Sequence, residues 1–217
     1  MRNRFDRQLE ELNEQLIEMG SMCGSAVALV AKALADNDME LARRAVETDM
    51  KIDKMERDIE SLCLKLLLQQ QPVAKDLRMI SAALKMITDM ERIGDQVSDI
   101  SEILFNRDLS AACGKVPLRE MFQNVVKMVT DSIESYVKKD LELARGVMEH
   151  DDIVDGLFDE IKFGLINMMT TGRESSEDAI DLLMISKYLE RIGDHSTNIA
   201  EWVEFSITGI HISEEIR

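Results

Sequence analysis

Two stretches of this chain set acids against one another at helical spacing. They are ERIGDQVSD, from Glu91 to Asp99, and ERIGDHSTN, from Glu190 to Asn198. The surroundings are periodic at three and four, so Glu91, Asp95 and Asp99 stack on one helix face, as do Glu190, Asp194 and Asn198. Like charges at that spacing repel by about 0.2–0.5 kcal/mol per pair. Glu102 and Glu201 lengthen the two stripes. A second motif of the same form precedes each: Asp49 with Asp53, and Asp151 with Asp155. Carboxylates one turn apart on two neighbouring helices can converge on one patch. Such a patch suits cations that prefer oxygen: Mg²⁺, Mn²⁺, Ca²⁺ or Fe³⁺. A bound cation would cancel the repulsion that otherwise raises the acids' pKa values.

The alternative is a solvated acidic face. Arg92 and Arg191 each stand three residues before an aspartate, Asp95 and Asp194, so an ion pair within the helix could account for each. Gly94 and Gly193 sit beside the acids in both stretches, where a glycine in mid-helix costs about 1 kcal/mol against alanine. Close helix packing explains them, and so does room for an ion or a partner's backbone. Other chemistry is sparse. His150, His195 and His211 lack the Glu-x-x-His spacing of di-iron bundles, although His195 adjoins Asp194. There is no Gly-rich phosphate loop, and none of Cys23, Cys63 and Cys113 lies in a nucleophile's local sequence.

These residues need helices to position them, and the composition favours helices. The chain has 217 residues, 45% hydrophobic but only 4% aromatic, with 15 Met, 10 Gly and 2 Pro. Three stripes follow in turn. Phe5 to Leu34 defines a first helix ending near Asp36–Asp38. Leu41 to Leu66 defines a second, with Asp38 as N-cap, ending at Gln69-Gln70-Gln71 before Pro72. Ile80 to Leu104 defines a third. The segment DLSAACGKVP breaks the pattern, and helices over about 118–137, 140–170 and 177–205 follow, with TTGRESS as a loop before the last. Met-rich stripes read as core filling.

The second set repeats the first. Asp38–Glu60 lies on Asp140–Lys162 without a gap, with nine of 23 positions identical, at an offset of 102; the ERIGD stretches are offset by 99. The expected fold is therefore all-α: two tandem three-helix bundles, six long helices in all, from an internal duplication. The first repeat spans 1–108, a linker 109–117, and the second repeat 118–217.

A net charge of −16 argues against nucleic acid as a partner and for cations or basic protein faces. Three scattered cysteines fit a reducing compartment. The start, MRNRFDRQLEELNEQL, is too charged for a signal peptide, and no apolar run approaches a membrane span, so the reading is cytoplasmic.

The segment QQQPVAKDLRMISAALKMITDMERIGDQVSDISE, with the later LERIGDHSTNIAE, closely resembles the PhoU family of phosphate-transport accessory proteins and phosphate-regulon regulators. The resemblance spans essentially the whole chain. It implies two three-helix bundles about a pseudo-twofold axis, a homodimer, and negative regulation of the response to phosphate starvation. It also implies two partners, the phosphate transporter's ATPase subunit and a phosphate-sensing histidine kinase, with membrane association only through them. Metal clusters of one or several ions would be held by Asp49, Asp53, Glu91 and Asp95, with Asp99, and by Asp151, Asp155, Glu190 and Asp194, with Asn198 in the place of the third acid. The metal stays open among iron, zinc, manganese, magnesium and calcium. The reading is a non-enzymatic metal-binding regulator. A metal-free acidic adaptor whose stripes dock basic helices is the alternative, and a metal-dependent hydrolase is a weaker third for which no nucleophile–base set is present.

Overall fold

The computed structural model describes residues 2–69, 72–171 and 176–210. Seven helices occur among them: α1 (Arg2–Asp36), α2 (Met39–Gln69), α3 (Ala74–Asn106), α4 (Ser110–Cys113), α5 (Leu118–Lys138), α6 (Leu141–Thr170) and α7 (Ser176–Thr208). The six long ones are those the periodicity predicts. The helix stop at Gln70-Gln71, loop residues 172–175 and His211 lie outside the described residues.

Local chemistry fixes the breaks. Asp38 caps α2 by accepting from the backbone N–H groups of Glu40 at 2.9 Å and Leu41 at 3.3 Å, and Asp140 caps α6 by accepting from Leu143 at 3.1 Å. The helix before each cap ends in a left-handed residue, Asn37 (φ 51°) and Lys139 (φ 53°), at equivalent places in the duplication. The linker is not wholly irregular, as expected, but carries α4. Asp108 holds its start, accepting from the Ser110 N–H at 3.0 Å and its hydroxyl at 2.6 Å, and Leu109, Ala112 and Val116 are buried. Four residues are too few to leave a periodic stripe in a sequence, so α4 has no signal there.

Each helix turns its apolar stripe inward. Leu12, Leu16 and Met19 of α1, Ile52, Ile59 and Leu66 of α2, and Ile80, Met86, Met90, Ile93 and Ile100 of α3 are fully buried, and one hydrophobic cluster continues through both halves. Met86, Met90, Met121 and Met128 fill core space as expected, whereas Met50 is exposed. By length and composition α1 could pass for a membrane span, which the sequence reading did not foresee. Much of its apolar stripe, Leu12 to Leu34, nevertheless lies in the protein core, and α1 packs against α2, α3 and α5.

Within each half the three long helices pack on one another, and the halves join along α3 with α7 and α1 with α5. The acid-bearing faces are thereby paired, α2 with α3 and α6 with α7.

Candidate metal centre

In the first half the acids converge. Asp49 and Asp53 of α2 and Asp95 of α3 each bring a carboxylate oxygen within 4.8 Å of the others. Asp49 Oδ1 is buried with no hydrogen-bond partner among the described residues. An acceptor out of water and unsatisfied costs about 1–3 kcal/mol, so its position calls for a compensating positive group. Burial pushes the Asp49 carboxyl up to about 6, and Asp53, Asp95 and Asp99 add to the rise while the neighbouring Ser98 hydroxyl opposes it. Glu91 is also raised, by burial first and then by Asp95.

Gly94 explains how Asp49 fits. A Cβ on Gly94 would run into Asp49 Oδ1, well inside contact distance, and would come 3.5 Å from Ile52 Cδ1. The glycine thus makes room for the carboxylate itself, where the sequence left packing or an ion as the reason. At Gly193 the equivalent Cβ would meet Asp151 Oδ1 and Val154 Cγ1 at 3.4 Å, ordinary contact.

The second half is looser. Burial pushes Asp151 up to about 6 as well, with Asp194 and Asp155 adding to the rise and Thr197 opposing it; Asp155 and Asp194 are raised too, first by burial and next by Glu190. Among the described residues these acids do not form a group as tight as Asp49, Asp53 and Asp95. A lysine stands among them. Lys187 Nζ lies 2.5 Å from Glu190 Oε2 and 5.4 Å from the centre of the Phe158 ring, and its charge works against the rise at Asp155 and Asp194.

The duplication shows what changed. The position equivalent to Phe158 is Glu56, and that equivalent to Lys187 is Thr88. Glu56 is raised by burial first, then by Glu60 and Asp53, and it adds in turn to the rise at Glu91. It belongs to the first-half acid patch, and the sequence reading missed it. The signal was there: Asp49, Asp53 and Glu56 follow at four and three on one face.

Two expected site residues point elsewhere. Asn198 Nδ2 donates to Asp89 Oδ1 across the halves at 3.1 Å, and the same oxygen accepts from His195 Nδ1 at 2.9 Å. Both residues therefore help join α7 to α3. Asp99 lies near Asp49 in charge, yet it also lines a groove with Glu102, Arg107, Asp181 and Tyr188 where α3 meets α7. Its carboxyl is raised by burial and then by Glu102 and Asp95, and Arg191 opposes the rise. Among the described residues the expected ion pair within the helix forms at Arg92, whose Nη1 lies 2.9 Å from Asp95 Oδ2, with Arg92 Nε 3.5 Å from Glu91 Oε2. The charge of Arg191 acts instead on Asp99 of the other half, across the α3–α7 junction.

Comparison with known proteins places this arrangement. The family model described as the PhoU domain matches twice, over residues 16–104 and 118–203. The chain belongs to the PhoU family. A curated relative from Clostridium acetobutylicum, a phosphate-specific transport system accessory protein PhoU homolog, is 36% identical over 209 residues, covering 94% of each chain. The homolog from Pseudomonas aeruginosa is 32% identical, covering 96% of this chain and 87% of its own. The crystal structure of PhoU from Pseudomonas aeruginosa superposes with a TM-score of 0.87 at 31% identity, over 95% of this chain and 100% of that one. That of the phosphate transport system regulatory protein PhoU from Streptococcus pneumoniae shares the fold, with a TM-score of 0.85 at 24% identity, over 96% and 99%. The two matched segments fall on α1–α3 and α5–α7, so the duplication read from the sequence is the family's own repeat.

Proposed function

We propose that this chain is a non-enzymatic accessory protein of a phosphate-specific transport system. In this reading it acts in the cytoplasm as a homodimer and restrains the phosphate-starvation response by linking the transporter's ATPase subunit to a phosphate-sensing histidine kinase. The observation that carries the regulatory role is the family match across both halves, together with relatives named as accessory proteins of that system. Purified chain should retain the ATPase subunit and the kinase in a pull-down; loss of both would overturn the reading.

The proposal includes a cation on the first half. Asp49, Asp53 and Asp95 would hold it, with Glu91 and Glu56 beside them, and the support is their convergence around a buried, unpartnered oxygen. The donors are all carboxylates, which fits hard divalent or trivalent ions, with iron, manganese, magnesium and calcium ahead of zinc. When bound, the ion supplies positive charge between α2 and α3. The chain's own contribution is to place the carboxylates, clear Asp49 with Gly94, and keep Arg92 at the rim. The second-half acids, Asp151, Asp155, Glu190 and Asp194, would bind more weakly because Lys187 already supplies a positive charge there.

One observation favours the metal-free adaptor as a second reading. Asp95 already accepts a guanidinium, that of Arg92, so this face can be satisfied by basic side chains. Adding chelator to the pull-down separates the two. Binding lost with chelator supports the metal, and undiminished binding supports the adaptor.

A further inference from the structure

Far from the acids, where the start of α3 meets the ends of α5 and α7, lies a cavity of about 500 Å³. Its charged lining is basic in a chain of net charge −16, with Lys75 and Arg78 from α3 and Lys139 from the end of α5, beside the neutral polar Asn13, Tyr136 and Ser206. Ile17, Val137 and Ile207 form much of its apolar wall, and no described lining residue is acidic. Three further features show that the site is built. Arg78 Nε is buried and has no hydrogen-bond partner among the described residues. The Arg78 guanidinium is seated against Gly209 (φ 82°), where an added Cβ would stand 3.1 Å from Nη1. Lys139 holds its place in a left-handed conformation that a side chain adopts at a cost, where the first half has the better-suited Asn37.

The duplication sharpens the contrast. At the other end of the α3–α7 pair, Arg107 is met by Glu177, by Asp178 at 3.2 Å and by Asp181 at 3.0 Å. The positions equivalent to those three acids are Arg78, Met79 and Ala82. One end neutralises its arginine with carboxylates from the chain; at the other, no carboxylate is among the described lining residues.

The geometry points to a binding site for a small organic monophosphate. The phosphate would lie on the Arg78 fork and the two lysines, and the apolar body against Ile17, Val137 and Ile207. A planar guanidinium recognises phosphate oxygens in pairs, and lysines add point charge for a dianion. A cavity of this size matches ligands larger than a bare ion, and its apolar wall gives the rest of the molecule a partner.

Calorimetric titration of the full-length chain with AMP, octyl phosphate and inorganic phosphate tests this. Saturable binding of AMP or octyl phosphate at one site per chain is expected, with inorganic phosphate weaker by at least about tenfold. Arg78→Gln and Lys139→Asn should each weaken that binding about tenfold, and Lys139→Asn should do so with an unchanged or raised melting temperature, since asparagine tolerates the left-handed turn better. The last result separates lost recognition from lost folding. Absence of saturable binding by both organic phosphates overturns the site. So does binding untouched by Arg78→Gln and Lys139→Asn, and inorganic phosphate binding as tightly as both would overturn the role of the apolar wall.

Discussion

At Asp49 a carboxylate has left water with nothing to donate to its inner oxygen. Its raised pKa, about 6, fixes the sign of a pH effect. Unfolded, the group ionises near 3.9; folded, it holds its proton until about 6. The folded state therefore binds more protons between those values, and the metal-free protein loses stability as pH rises through that window. Asp151 acts in the same direction. Melting of chelator-treated protein should thus occur at a higher temperature at pH 5.5 than at pH 7.5, and the difference should shrink in Asp49→Asn. An equal difference in parent and variant would remove Asp49 from the account. Gly94 supplies a second test at this scale. Alanine gains about 1 kcal/mol over glycine in a helix interior, and Gly193→Ala should keep most of that, because its new contacts are ordinary. Gly94→Ala must displace the Asp49 carboxylate, so it should forfeit the gain and weaken cation binding. Denaturant titrations of the two variants, with and without added cation, would show the split.

The long helices were legible because their apolar residues recur over many turns, and the stripe from Leu12 through Leu34 is buried as its spacing requires. The Asp38 cap was legible for the same local reason, since it stands where orphan N–H groups need an acceptor; its counterpart Asp140 was read only as a helix start, and the structure shows it capping α6 in the same way. Asp38→Ala and Asp140→Ala should each cost about 1 kcal/mol in a urea titration, with no change in cation content. Changes under about 0.3 kcal/mol would mean that tertiary packing alone sets these helix starts. What sequence spacing could not show is which acids on a stripe face the neighbouring helix. An i, i+4 row drifts around the helix, so Asp95 turns toward α2 while Asp99 reaches the α3–α7 junction. The same junction takes Asn198 and His195 to Asp89, a partner 109 and 106 positions away that no local pattern names.

For the whole molecule the duplication is the organising fact, and the departures from it carry the functional argument. In the proposed reading Glu56 against Phe158 and Thr88 against Lys187 would favour the first half for a cation, while Arg78 against Glu177 leaves a cationic cavity at one end. The repeat itself could be read by aligning the chain with itself. These asymmetries could not be weighed until the fold showed which side chains meet. Asp89 ties the halves, so Asp89→Ala should lower the melting temperature by several degrees, through two lost hydrogen bonds and a histidine left without its partner. No change would place the strength of the junction in its apolar contacts. The central claim is that Asp49, Asp53 and Asp95 form the principal cation site. Elemental analysis of untagged protein, set beside Asp49→Asn/Asp95→Asn and Asp151→Asn/Asp194→Asn, tests it most directly. The account predicts bound metal in the parent, most of it lost in the first double variant and most of it kept in the second; equal metal content in the parent and the first double variant, both still helical, would contradict it.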